Sequence, residues 1–521
     1  MPDSLIINSS PSEVRVALLE NGVPVEIFIE RRAERGVVGN IYRGRVVRVL
    51  PGMQAAFVEV GLERTAFLYV NDALERLPTP PEDTDLSTTG DLGARAPPAA
   101  RTTDDEGRRG FRDAPLANIA DVLKQGQEIL VQVQKEPLGS KGARLTRHVT
   151  IPGRSLVYMP FSDHIGVSRR IEDPEERERL KGIVSPFAGK KGGYIVRTAG
   201  EGETAESLER EGKLLAQIWT DIKKRGAKGP CPRIVFEDLD LVLRVIRDLF
   251  TEKIDQVAID SAVDYERTKD FVKSFTAEGE ARIRMYDEPE PIFDHFGIEV
   301  EIERALERRV WLKSGGYIVI DQAEALTVID VNSGRFVGKS SLEDTITQIN
   351  LEAVKEIVYQ LRLRNIGGIV IIDFIDMTAA SNREKVLGAL QEALKRDKAK
   401  TTIVRMSEIG LVEMTRKRVR ESLGHVLTEA CPYCKSRGFV KSEQTVANEL
   451  LRAIVRSMSR DKAPTVLVNM EPSVADYLYA AETAEIEQIE QRYGTQIIPV
   501  AREGYHREHY EIVRTPGADD E

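Results

Sequence analysis

The sequence predicts a multidomain α/β protein, and three observations carry that prediction. The chain has 521 residues, which suggests about three or four domains. Short strand-like segments crowd residues 39–77 and 126–147, and strand and helix patterns alternate over residues 306–427. Composition agrees: 41% hydrophobic and 30% charged is ordinary for a globular chain. No apolar run approaches the roughly 18 residues of a membrane span. The opening MPDSLIINSS lacks the basic-then-apolar order of a signal peptide, so the expected location is the cytoplasm.

The first strands come at residues 43–50, 55–60 and 66–70, broken by Pro51-Gly52 and Gly61. Residues 127–134 alternate around Ile129, Val131 and Val133. Short strands at this spacing predict a small antiparallel barrel. Between them, residues 78–115 are rich in Pro, Thr, Asp, Gly and Arg and poor in large apolar side chains. Such a stretch cannot bury enough surface to offset its ordering entropy, so a disordered insertion is expected there. Residues 148–242 read as mixed α/β, with a helix over 206–225 that presents Leu208, Leu215 and Trp219 on one face. Residues 243–305 continue α/β.

The clearest pattern follows. Residues 317–320 and 326–331 read as strands. A helix begins at Ser341, with Asp344 three residues on, and shows Ile346, Ile349, Ala353, Ile357 and Leu361 on its apolar face. Gly367-Gly368 is expected to end it. Residues 369–375 are nearly continuously apolar, which predicts a strand buried on both faces. A second helix is expected from Ser381, with Glu384 three residues on, and a strand at 401–405. Strand, helix, strand, helix, strand predicts parallel neighbours.

Asp330 ends one of these strands and Asp373 lies on the next. If the strands are neighbours, both carboxylates reach one sheet edge, where ligands collect in open α/β sheets. Two such acids make a hard oxygen site suited to Mg²⁺ or Mn²⁺, and such an ion activates water against a phosphate. The plainer reading is a turn cap and an arginine partner. It weakens for a buried strand, where an unpaired carboxylate costs several kcal/mol. Asp376 is a second acid on that strand, and spacing does not choose between it and Asp373.

Weaker signals stand elsewhere. Cys431 and Cys434 have the spacing of half a zinc site. Two chains could each give one pair to a shared zinc; free thiols are the alternative. Cys231 reads as a packed residue. Phe57, Phe67 and Tyr69 are core in the ordinary reading, or base-stacking aromatics if they face outward beside Arg43, Arg45 and Arg48. Arg197-Thr198, beside glycine backbone, could hold a phosphate. The net charge of −10 argues against nucleic acid as a whole. Local clusters remain: Lys141, Arg144, Arg147 and Arg154, and Arg416, Lys417, Arg418 and Arg420. Each reads more simply as a solvated face.

The motifs SKGARLT, SRRIE, IVRTAG, VIDVNSG, RLRNIGGIVIIDFIDM and CPYC together resemble the ribonuclease E/G family. The resemblance runs along the whole chain outside 78–115 and is most specific over 310–440. Absence of a long scaffold beyond the small C-terminal domain points to the ribonuclease G branch. It implies a ribonuclease-H-like domain in two parts, 1–38 and 243–305. Inserted between them are an OB-fold over 39–147 and a 5′-sensor domain over 148–242. A deoxyribonuclease-I-like catalytic domain (306–427), a zinc-link (428–441) and a small C-terminal α/β domain (442–521) follow.

The resemblance further implies catalytic Asp330, Asp373 and Asn332, with Mg²⁺ on the two aspartates, which favours Asp373 over Asp376. It implies a 5′-phosphate sensor of Arg197, Thr198, Gly153, Val157 and Arg169, and RNA contacts at Phe57, Phe67 and Lys141. Lys400 stands where an arginine is expected near the RNA path, keeping charge but losing bidentate geometry. Zn²⁺ held by Cys431 and Cys434 would be shared within a homodimer, with pairing into tetramers left open. The implied activity is hydrolysis of single-stranded, A/U-rich, 5′-monophosphorylated RNA in ribosomal RNA 5′ maturation and messenger RNA decay. The 78–115 insertion departs from the family pattern and could alter how RNA reaches the site or recruit a partner. Two rivals remain: a non-catalytic RNA-binding or ribosome-assembly factor, which would not need the acid pair, and a DNA nuclease.

Overall fold

The computed structural model describes residues 3–74, 118–137, 142–188, 192–273, 279–334, 342–407, 409–460 and 463–515. The insertion expected at 78–115, Lys141 and the helix start at Ser341 lie outside the described residues. The chain divides into two units, Met1–Leu427 and Thr428–Glu521.

In the first unit, Asp3–Ser9, Glu13–Glu20 and Val23–Arg31 form an antiparallel meander. Asn21 and Gly22 turn the second hairpin with φ of 53° and 82°, the two-residue geometry that matches strand twist. Asp3–Ser9 also pairs in parallel with Ile254–Ile259, and Ile283–Met285 completes a five-stranded sheet. Both faces are covered. Leu5, Ile7, Val16 and Leu18 pack with Leu241–Leu249, while Ile6, Ala17 and Leu19 pack with Ile292, Phe293 and Ile298.

The expected barrel is present. Ile41–Leu50, Ala55–Glu59, Ala66–Tyr69, Arg144–Thr146 and Glu128–Lys135 pair in that order, and the last pairs with the first to close the ring. It is not wholly antiparallel: Ala66–Tyr69 runs parallel to Arg144–Thr146. Arg233–Phe236 adds a strand outside the ring. A four-stranded sheet follows, with Ile151–Pro152, Leu156–Met159, Ile165–Val167 and Gly193–Val196. Helix Ala205–Ala227 packs on it through Leu208, Leu215, Trp219 and Ile222.

The sheet that carries Asp330 and Asp373 has six strands. Their order is Arg309–Trp311, Tyr317–Gln322, Leu326–Asn332, Gly368–Asp373, Leu411–Arg416 and Thr401–Met406. Leu326–Asn332 and Gly368–Asp373 run parallel, joined by helix Leu342–Leu363, as expected. The strand at Thr401–Met406 does not continue the parallel run. Leu411–Arg416 folds back beside it and takes the place next to Gly368–Asp373, antiparallel to both. Gly410, at φ 81°, supplies the left-handed residue in that turn.

Burial also differs from expectation. Helices Leu342–Leu363 and Ala380–Leu394 lie on the same side, packing Ile349, Ile357, Val386 and Leu390 onto Ile318, Ile329, Val370 and Ile372. The other side stays open, with Ile369 49% and Val328 37% exposed. The apolar run at 369–375 therefore does not mark a strand buried twice over. Asp376 is not on the strand either, which ends at Asp373. The first helix ends at Leu363 rather than at the glycines, because Asn365 turns left-handed at φ 49°. The second helix starts at Ala380, with no cap from its own N-cap residue.

The second unit holds a three-stranded sheet. Thr465–Met470 is parallel to Gln496–Ala501 and antiparallel to Tyr510–Thr515. Helices Glu443–Arg460, Pro472–Ala481 and Thr483–Tyr493 complete its core around Leu450, Ile454, Val466, Val468 and Leu478. No described helix in either unit is long and apolar enough to cross a membrane.

Candidate active site

Strand register brings the two acids together. Asp330 and Asp373 are direct partners across the parallel pair, so their side chains stand side by side on the open face. Alternation explains why: Ile329, Val331 and Ile372 turn to the helices, and the residues between them turn outward. Asn332 lies two residues on, on the same face, and its Nδ2 donates to Asp330 Oδ2 at 2.7 Å. Partial burial, followed by the nearby Asp330 and Asp376 charges, pushes the Asp373 carboxyl above the usual carboxylate range. A divalent cation relieves that crowding of like charge. The donor set fits Mg²⁺, which is often held by one or two carboxylates while keeping several waters. Among the described residues, no three or more His, Cys, Asp or Glu gather as an ion site.

The segment after Asp373 is held by the crossover helix. Asn350 is fully buried; its Nδ2 donates to the Ile375 carbonyl at 2.8 Å and its Oδ1 accepts the Ile375 amide at 3.1 Å. Glu343 accepts the Thr378 and Ala379 amides and Asn382 Nδ2, at 3.1, 3.0 and 2.9 Å. These donors draw its carboxyl down to about 2. Sequence reading missed both residues. A polar Asn350 beside the apolar face of Ile346, Ile349 and Ala353 was the available signal.

Arg197 and Thr198 follow Gly193–Val196, the strand next to Leu156–Met159. Arg197 Nη1 donates to the Gly153 carbonyl at 2.7 Å and to Asp248 Oδ1 at 2.6 Å. Its Nε and Nη2 meet no acceptor among the described residues, leaving one edge of the fork open. Thr198 Oγ1 lies 3.2 Å from Ser168 Oγ, which sets Arg169 in the adjoining loop. The Gly153 amide is taken by the Leu156 carbonyl at 2.8 Å, and Val157 is paired on both sides by Pro152 and Ile195. A Cβ at Gly153 would come 2.2 Å from Glu211 Oε1, so a larger residue there would push aside the carboxylate that accepts the Ser155 amide. Glu211 and Asp248, both missed in the sequence, thus brace the loop and the arginine.

On the barrel, Phe57 and Phe67 are cross-strand partners and half-buried, with Tyr69 exposed beside them. Their rings meet edge to face, at 5.7 Å for Phe57–Phe67 and 4.3 Å for Phe67–Tyr69. Arg144 lies 5.0 Å over the Tyr69 ring. The aromatics therefore face outward rather than into the barrel core.

The basic run at 416–420 is a solvated face only in part: Lys417 and Arg418 are exposed, but the other two are engaged. Arg416 is 5% exposed and paired with Asp397, and Arg420 lies 3.7 Å over the Phe28 ring. Burial holds the Arg420 guanidinium down to about 10. Lys400 is exposed, and its carbonyl accepts the Lys417 amide at 2.8 Å. Arg170 donates to the Lys398 carbonyl, tying the loop beside Arg169 to the loop that carries Lys400.

In the second unit, Cys431 and Cys434 are not joined in a disulfide. The Cys434 and Tyr433 amides and then the Cys434 side chain lower the Cys431 thiol, favouring thiolate. Two thiolates fit half of a tetrahedral zinc site. Cys231 is half-buried, with Sγ 3.7 Å from the Arg43 carbonyl, as a packed residue should be.

Comparison with known proteins gives the same direction. The model of the ribonuclease E/G family matches residues 150–419, and that of the ribonuclease E/G thioredoxin-like domain matches 430–515. Ribonuclease G of Escherichia coli (strain K12) is 43% identical over 98% of this chain and 100% of its own length. Ribonuclease G of Haemophilus influenzae is 42% identical over 98% of this chain and 99% of its own. Ribonuclease E of Escherichia coli is 33% identical over 99% of this chain but 46% of its own length. With identity at these levels from end to end, the chain belongs to the ribonuclease E/G family.

Proposed function

We propose that the protein is an endoribonuclease that hydrolyses single-stranded RNA at the Asp330–Asp373 pair. The observation that carries this is the in-register placement of the two acids on an open sheet face, with Asn332 bonded to one of them. Relatives named ribonuclease along the full chain support it. When bound, Mg²⁺ would supply activation of water and neutralisation of phosphate charge. Asp330 and Asp373 would hold it, and Asn332 fixes one Asp330 oxygen so that the other is free to bind. The products would carry 5′-phosphate and 3′-hydroxyl ends.

The domain names given by the family resemblance, with their boundaries, are part of this reading. So is a preference for A/U-rich, 5′-monophosphorylated substrates. The open edge of Arg197, with Thr198 and Arg169 close by, suits a terminal phosphate. Phe57 and Phe67 would stack bases, with Lys141 and Lys400 supplying positive charge. Cys431 and Cys434 would hold half of a zinc shared by a homodimer; the zinc supplies a cross-link when bound. Action in the cytoplasm, on ribosomal RNA precursors and messenger RNA, belongs to the same reading.

Asp373→Asn tests the reading. Cleavage of a 5′-monophosphorylated A/U-rich oligomer should be abolished while RNA affinity is largely kept. Cleavage at the wild-type rate would remove Asp373 from the chemistry.

A further inference from the structure

The open face of the catalytic sheet carries more than the acid pair. Arg309–Trp311 is the edge strand, paired with Tyr317–Gln322, which pairs with Leu326–Asn332. Register runs Trp311 opposite Tyr317 and Tyr317 opposite Asn332. One row along, it runs Arg309, Val319, Asp330 and Asp373. The inward residues between them, Val310, Ile318, Ile329 and Val331, pack into the core. Trp311, Tyr317 and Arg309 therefore stand on the same face as the acids and Asn332.

This patch has the makings of a stacking site. Trp311 is 62% exposed, among the most exposed large apolar side chains described. Its ring meets Tyr317 edge to face at 5.3 Å. The Arg309 guanidinium lies 4.6 Å over the Tyr317 ring and 5.8 Å from that of Trp311. Lys313, exposed, follows in the adjoining turn. Exposed rings beside cations are the recipe for holding single strands without reading sequence, since every base has a stacking face. With strands ~4.8 Å apart and ~3.3 Å per residue, the Tyr317 backbone lies on the order of 8 Å, and the Trp311 backbone on the order of 12 Å, from that of Asp330. That is close enough for a nucleotide neighbouring the scissile phosphate.

We propose that Trp311 stacks on a base of the RNA substrate next to the cleaved bond, backed by Tyr317 and with Arg309 drawing in the adjacent phosphate. The proposal rests on the nuclease reading above and adds a base-binding subsite inside the catalytic unit, separate from the barrel aromatics. RNA is preferred over a second copy of this chain as the occupant for two reasons. The patch is continuous with the acid pair, and the charged residues of its own edge strand and adjoining turn, Arg309 and Lys313, are both positive. A phosphate backbone matches that charge, whereas a two-fold contact would set like charges against each other.

The chain contains two tryptophans, and the other, Trp219, is 6% exposed. Both emit, but contact quenching by bound RNA reaches the exposed Trp311 and not the buried Trp219. The test uses the full chain carrying Asp373→Asn, titrated with a 5′-monophosphorylated A/U-rich oligomer labelled for anisotropy. Saturating RNA should quench the exposed tryptophan emission, and Trp311→Phe should remove the quench while keeping affinity within about threefold. Trp311→Ala should weaken binding about 5- to 100-fold. That loss should vanish for an oligomer with an abasic site at one position beside the cleavage point. Emission unchanged at saturation overturns the proposal, as does wild-type affinity in Trp311→Ala. So does loss of self-association in Trp311→Ala, by light scattering, with RNA binding intact; that result would make the patch a subunit contact. These are binding measurements, so they can fail while Asp373→Asn still shows the nuclease reading to hold, and the reverse.

Discussion

Asn350 offers a direct test of how the site is held. Its amide forms a two-bond bridge to the backbone of Ile375, two residues past Asp373. Leucine keeps the γ-branched shape of the side chain and removes both polar atoms. Asn350→Leu therefore leaves the Ile375 amide and carbonyl without partners in a partly buried segment. Each orphaned group costs about 1–3 kcal/mol. Ile375 is only half-buried, so the lower part of the range applies, about 2–4 kcal/mol for the two. At 1.4 kcal/mol per decade, hydrogen exchange at the Ile375 amide should quicken about 30- to 1000-fold. Asn350→Asp should do worse, because a carboxylate oxygen would replace a donor against the Ile375 carbonyl. Cleavage should need more Mg²⁺ in both variants, since the end of the Asp373 strand loses its anchor. Exchange within threefold of wild type, with an unchanged Mg²⁺ requirement, would refute this account of the loop.

Other expectations follow from the same geometry. Arg197→Gln should lower the ratio of cleavage rates for 5′-monophosphorylated over 5′-hydroxyl RNA by tenfold or more; an unchanged ratio counts against the sensor. Phe67→Ala should weaken RNA binding about 5- to 100-fold, with little loss of stability because the ring is half exposed; equal affinity would show the row to be structural. Glu343 carries a carboxyl lowered from 4.5 to about 2. A depressed carboxyl stabilises fully above the unfolded value, so its hold on Thr378 and Ala379 should persist above pH 4.5 and fade as pH falls towards 2. Exchange at those two amides should show that acid dependence in the wild type and lose it in Glu343→Gln.

The site was legible because strand alternation is a local pattern. Period two puts Asn332 on the face of Asp330, and strand register sets Asp373 beside them; the choice of Asp373 over Asp376, and the part given to Asn332, came from the family resemblance. The sheet around them was harder. Hydrophobic content cannot say which face of a strand is covered, so Ile369 and Ile371 suggested double burial when they face the open side with Asp373. Leu411–Arg416 has a plain strand pattern, yet nothing local says that it inserts between two earlier strands; that choice belongs to long-range packing. The cationic run at 416–420 misled in the same way, since Asp397 and Phe28, which receive Arg416 and Arg420, are distant in the chain. By contrast, the turn at Asn21-Gly22 in the first sheet is a two-residue hairpin signal that the sequence reading passed over.

One glutamine shapes what the barrel can carry. The Gln54 carbonyl receives the Val70 amide at 2.9 Å, and its Oε1 receives the Ile119 amide at 3.0 Å. The chain thus leaves the ring and returns to it at a single clamp. Between the two fixed points, Val70 and Ile119, the length of the stretch matters little. Doubling its length adds only about 0.6 kcal/mol of closure entropy. The clamp makes this corner a socket: the outward-facing aromatics on the neighbouring strands can hold their row whatever the length of chain between.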